Sequence, residues 1–175
     1  MKAEEIGKNL NTAMEAVMNM LEQKMYLVME KLRADAVSII DENDAVAWGQ
    51  MRVNVLYEVT REAGKIIGVV GTAKNVPYAI FRHEGTRPHW PPIEAIQKWV
   101  VQKGLVLSPV NKPASLRGLR AGGKKAQRLV DESQTIAFLI ARKISRMGTT
   151  GLPFLRMALD QNIGWITKEF DSVKV

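Results

Sequence analysis

The chain has 175 residues, 46% of them apolar and 25% charged, with no cysteine and a formal charge of +7 from 25 Lys+Arg against 18 Asp+Glu. A chain of this length buries enough surface to fold without a metal or a disulfide, and the missing cysteine removes disulfide scaffolds, thiol catalysis and thiolate metal sites together. No apolar run approaches the ~20 residues that span a bilayer and no leader pattern opens the sequence, so a soluble protein of the cell interior, without membrane contact, is expected.

The first forty residues repeat every eleven. Ile6, Val17, Val28 and Ile39 recur at that interval, as do Leu10, Leu21 and Leu32, and Met14, Met25 and Ala36. Eleven residues in three turns is 3.67 per turn, close to the natural 3.6, so the pattern predicts one nearly straight helix over 3–40. Residues 6–40 alone would run about 52 Å, longer than the roughly 40 Å diameter of a compact chain of this size. The helix therefore overhangs its own domain. Its methionines Met14, Met18, Met25 and Met29 suit either an adaptable surface between subunits or the chain's own sheet.

Asp41 to Asp44 stops the helix. Met51, Val53, Val55, Tyr57 and Val59 then alternate with polar residues at the period of two of a half-buried strand, and a turn ending at Gly64 leads into an apolar strand from Lys65 to Gly71. Residues 48–71 are thus expected to form a β-hairpin, with a third strand beside it because an isolated hairpin is marginal in water. Residues 75–86 read as irregular or helical, and Pro88 to Pro92 as extended. Pro92 opens a helix to about Lys103 on the face of Ile93, Ile96 and Val100, with Gly104 as its stop.

All of the excess charge then falls in one stretch. Lys103, Lys112, Arg117, Arg120, Lys124, Lys125 and Arg128 occur without an acid among them, and the rest of the chain balances at 18 bases against 18 acids. The Gly and Pro content of this stretch cannot supply a core, so 105–130 is expected to be a basic loop insert. Asp131 with Gln134 resembles a capping box that starts the next helix, closed by Gly148, and Pro153 opens a last helix through Phe170. The order predicts one α+β domain over 1–175.

Few residues offer chemistry. His83, Glu84 and His89 lack the spacing of a metal site and have no further ligand nearby. No nucleophile elbow, phosphate-binding loop or dinucleotide fingerprint occurs. Neither a cofactor nor enzymatic activity is expected. The basic stretch could be a solvated surface, a contact for nucleic acid phosphates, or a dock for an acidic partner. No aromatic residue lies between Trp99 and Phe138, so base stacking is not supported.

Val76-Pro77-Tyr78-Ala79, then His83-Glu84-Gly85-Thr86-Arg87-Pro88, then Ile140-Ala141-Arg142-Lys143-Ile144, Gly148 and Leu152-Pro153-Phe154-Leu155 with Ala158 together resemble tailed-bacteriophage head-to-tail joining proteins. These are the neck, tail-completion and tail-terminator components related to gene product ten of the Hong Kong phage group. The resemblance covers roughly residues 65 to 160 and rests on the order of short motifs. It implies a noncatalytic virion protein, made in the host cytoplasm, that assembles as a ring, typically a hexamer, between the portal-side connector and the tail tube. Its partners would be itself, neighbouring neck or connector and tail-tube proteins, and packaged DNA in the channel. On that resemblance Tyr78, Glu84, Gly85, Thr86, Pro153 and Phe154 are fold-defining, and Lys112, Arg117, Arg120, Lys124, Lys125 and Arg128 would form a circle of positive charge facing DNA or an acidic rim. The alternative is a cytoplasmic DNA-binding protein that contacts the phosphate backbone through 103–130.

Overall fold

The computed structural model describes residues 3–43, 50–62, 64–106 and 124–173, the side chains of 3–5 and 124–127 excepted. In chain order the elements are α1 (Ala3–Glu42), α2 (Gln50–Val53), β1 (Val55–Glu62), β2 (Lys65–Thr72), α3 (Tyr78–Glu84), β3 (Gly85–Thr86), α4 (Ile93–Gln102), α5 (Lys124–Met147), β4 (Thr149–Thr150) and α6 (Phe154–Asp171). The class is α+β, as expected. The chain divides into two compact units, one of residues 1–79 with 153–175 and one of residues 80–152.

The first unit is built on α1. The eleven-residue pattern buries Val28, Leu32, Ala36, Ile39 and Ile40 along one stripe, and the helix ends where both the backbone N and Nδ2 of Asn43 donate to Ile39 O, at 3.2 and 2.8 Å. Packing of α6 against α1 is antiparallel, because Lys24 pairs with Glu169 while Asn162 Nδ2 donates to Asp35 Oδ2 at 2.6 Å. Asn162 is 5% exposed, and its second bond, to Ala158 O, satisfies the buried amide.

The hairpin lies across α1 within the same unit. β1 and β2 pair antiparallel from Val55↔Thr72 to Glu62↔Lys65, which leaves a two-residue turn whose Gly64 has φ 78°. Alternation turns Val55, Tyr57, Val59, Ile66, Gly68 and Val70 inward. Two expectations need correction. Met51 and Val53 belong to α2, not to a strand, because Asn54 closes that turn with bonds to Met51 O and Gln50 O. No third strand joins β1 and β2 among the described residues. The inner face is covered by α1 instead, which supplies the burial that a third strand would have given.

In the second unit α4 starts after Pro92 and stops at Lys103 and Gly104, whose φ of 64° suits a residue without a Cβ. It packs on α5 through Val100 and the small buried residues Ser133, Ala137 and Ala141. Gln97 Nε2 donates to Ser133 Oγ at 2.9 Å. The helix expected to begin at Asp131 begins seven residues earlier, at Lys124, so 124–130 belong to a helix and not to the basic loop. Asp131 is no cap, since its carbonyl accepts Thr135 Oγ1 in mid-helix. Burial of the Ser133, Ala137 and Ala141 line outweighs the unfavourable placing of bases in a first turn.

Candidate functional site

Three regions hold the residues singled out by the sequence. The first is the pairing of β3 with β4, where Gly85↔Thr150 and Thr86↔Thr149 join segments 63 residues apart. Three glycines make the approach possible. A Cβ on Gly148 (φ 70°) would fall 1.9 Å from Thr86 O, one on Gly85 (φ 80°) 2.4 Å from Thr149 O, and one on Gly151 2.5 Å from Glu84 C. Thr86 Oγ1 lies 2.9 Å from Thr149 Oγ1 and accepts Thr149 N, and Leu152 N donates to Arg82 O. The segments that carry the family resemblance thus meet backbone to backbone. Glu84 is exposed, and His83 Nδ1 donates to its Oε1 at 2.7 Å. Tyr78 is 40% exposed, Pro153 caps α6, and Phe154 is buried at 1%. Among the described residues no three of His, Asp and Glu form a metal-ligating group.

The second region is the free length of α1. Every residue from Ile6 to Ala16 is exposed, with Ile6 at 54%, Leu10 at 67% and Met14 at 60%. These positions hold the same side-chain pattern as Val28, Leu32 and Ala36, which are buried two repeats on. The cover ends with α6, where Met20, Gln23, Lys24 and Leu27 with Ser172 and Val173 line a groove of about 450 Å³. Of the four methionines Met18 and Met25 are half-buried and Met29 is buried. Met25 and Met29 press on Gly68, whose added Cβ would lie 2.7 Å from both sulfur atoms.

The third region is the charge. Residues 80–152 hold 13 bases against 4 acids, whereas the first unit holds 12 against 14. In the first unit seven of the 12 bases are paired among the described residues: Lys24 with Glu169, Lys31 with Asp35, Arg33 with Glu30, Arg52 with Asp41, Arg61 with both Glu15 and Glu22, Lys65 with Glu62, and Arg156 with Asp160. Hydrogen bonding to Glu30 holds the Arg33 guanidinium above its usual range and lowers the Glu30 carboxyl in turn. Lys112, Arg117 and Arg120 lie outside the described residues, as do the side chains of Lys124 and Lys125. Arg128 is exposed on α5.

No protein-family model matches this chain, and neither a curated protein nor a solved structure matches it at a significant level. Among the described residues no helix is long and apolar enough to cross a membrane.

Proposed function

We propose that the chain is a noncatalytic virion structural protein of the phage head-to-tail interface, which completes or caps the tail and joins it to the head as a ring of identical subunits. One observation carries the reading: the first repeat of α1 presents Ile6, Leu10 and Met14 to solvent in the pattern that the later repeats bury. Such a stripe is suited to cover by another copy, and a contact between unlike faces closes into a ring when the rotation permits. The backbone-tight pairing of β3 and β4 supports a role by shape, since its convergent residues are glycines and threonines that hold a fold together.

In this reading the ring fits between connector and tail tube, with its basic stretch toward DNA or an acidic rim. An infection in which this chain is not made should yield filled heads and uncapped tails that stay unjoined. Normal joined particles would contradict the proposal.

The charge of residues 80–152 favours a second reading, a DNA-binding protein that contacts the phosphate backbone without reading sequence. Such a protein would act without virion components, so its loss would leave head-to-tail joining intact.

A further inference from the structure

The outward side of α5 continues the line of bases past the end of the basic stretch, to Arg142, Lys143 and Arg146. Nine residues, two and a half turns, separate the buried Ala137 from both Arg128 and Arg146, so these two positions lie diametrically opposite the packed line of the helix. Arg142 and Lys143 flank Arg146 on the same side. All four are exposed, and none forms an ion pair with a described residue. The pattern also repeats: Lys124-Lys125-x-x-Arg128 returns as Arg142-Lys143-x-x-Arg146 eighteen residues later. Eighteen residues are five turns, which sets the two triads in line along the helix about 27 Å apart. At the far end Arg87 is also exposed and without an ion pair, and its backbone lies against Gly148.

We propose that this outward side of α5 is a docking surface for the phosphate backbone of duplex DNA. Exposed bases at Arg128 and at Arg146, about 27 Å apart along the helix, need a ligand that is anionic along its whole length, because a small anion could meet only one of them. Duplex DNA carries one charge per ≈ 1.7 Å, or about 16 over that span. The only acids on α5, Asp131 and Glu132, sit beside Arg128, so the Arg142 end holds most of the surplus. Leu139, 56% exposed, interrupts the line with a side chain that offers phosphate nothing. No aromatic side chain stands on this line, so the contact is with the backbone and does not depend on sequence.

The inference deepens the proposed DNA contact and rests on that part of the reading alone, because it holds whether or not subunits close into a ring. The test is anisotropy of a labelled duplex of about 24 base pairs with the purified full chain, from about 50 to about 300 mM salt. Three variants each remove three charges: Arg142→Gln with Lys143→Gln and Arg146→Gln; Lys112→Gln with Arg117→Gln and Arg120→Gln; and, in the first unit, Lys8→Gln with Lys74→Gln and Lys168→Gln. The α5 variant should weaken binding about tenfold or more near 0.1 M salt and reduce the slope of log affinity against log salt by about 2 to 3. The first-unit control should change little, and Arg142→Lys with Arg146→Lys should retain binding. An α5 variant that behaves like the control overturns the inference, and a loss confined to the loop variant does so while leaving the DNA contact itself in place. Absence of binding by the wild-type chain overturns both. Equal competition by polyglutamate, charge for charge, would assign the surface to an acidic protein and also overturn it.

Discussion

Gly148 shows how much a single residue carries here. Its φ is positive and its Cβ position is already occupied by Thr86 O, so Gly148→Ala must both strain the backbone and push two strands apart. That combination should cost about 3 kcal/mol or more. Gly68→Ala makes a useful contrast, because the atoms it meets are the tips of Met25 and Met29. Methionine side chains move aside, so about 1 kcal/mol is expected. Denaturant melts of the two variants check the difference, and equal losses would mean that the β3–β4 approach is looser than described. The sequence marks Gly148 as a helix stop, which is what local backbone chemistry can reveal, and singles out Gly85 only through the resemblance. It cannot reveal that the two meet, because their pairing spans 63 residues and leaves no periodic trace.

At the scale of elements, periodic segments were legible and segments decided by tertiary contact were not. α1 follows from its eleven-residue repeat, and α4 from Pro92 and Gly104. The start of α5 was hidden, because Lys124, Lys125 and Arg128 run against the helix dipole and only the packing of Ser133, Ala137 and Ala141 on α4 overrides them. The outward bases of α5 were in plain view in the sequence, but their alignment has meaning only once 124–130 is helical. That no third strand joins the hairpin among the described residues has the same cause, since the α1 residues that cover it lie far from it in the chain.

The hairpin is tied to α1 at its tip as well. Arg61 donates to Asn19 at 2.7 Å and pairs with Glu15 and Glu22, and these two carboxylates raise its guanidinium above the usual range, the Glu15 hydrogen bond most. Arg61→Gln should speed amide exchange near the turn while barely moving the melting temperature, and high salt should mimic part of that effect on the wild-type chain. Unchanged exchange would show that packing alone holds the tip. The two halves of α1 also separate cleanly. Leu32→Ala should cost about 2–4 kcal/mol of stability, as a buried side chain does, whereas Leu10→Glu should leave the stability of the monomer itself unchanged and remove only what assembly adds to the melt. A destabilised Leu10→Glu monomer would mean that its stripe is covered within the chain.

Over the whole molecule, charge and apolar surface are sorted. One unit balances its bases with acids and leaves a bare helix end; the other carries a formal surplus of nine positive charges. A protein that met only solvent would have no use for either feature, and a subunit that meets its own copies and a polyanion has a use for both. Fold class was readable from the order of elements, and the candidate interface from the repeat, because each is a pattern along the chain. The division into two units was not, because it depends on α6 returning to α1 after the whole of residues 80–152. Native mass spectrometry of the purified chain beside its Leu10→Glu with Met14→Glu variant tests the central claim most directly. The account predicts a single closed oligomer, a hexamer, for the wild-type chain and a folded monomer for the variant; a wild-type chain that stays monomeric at every concentration, or a variant that still closes into the ring, would contradict it.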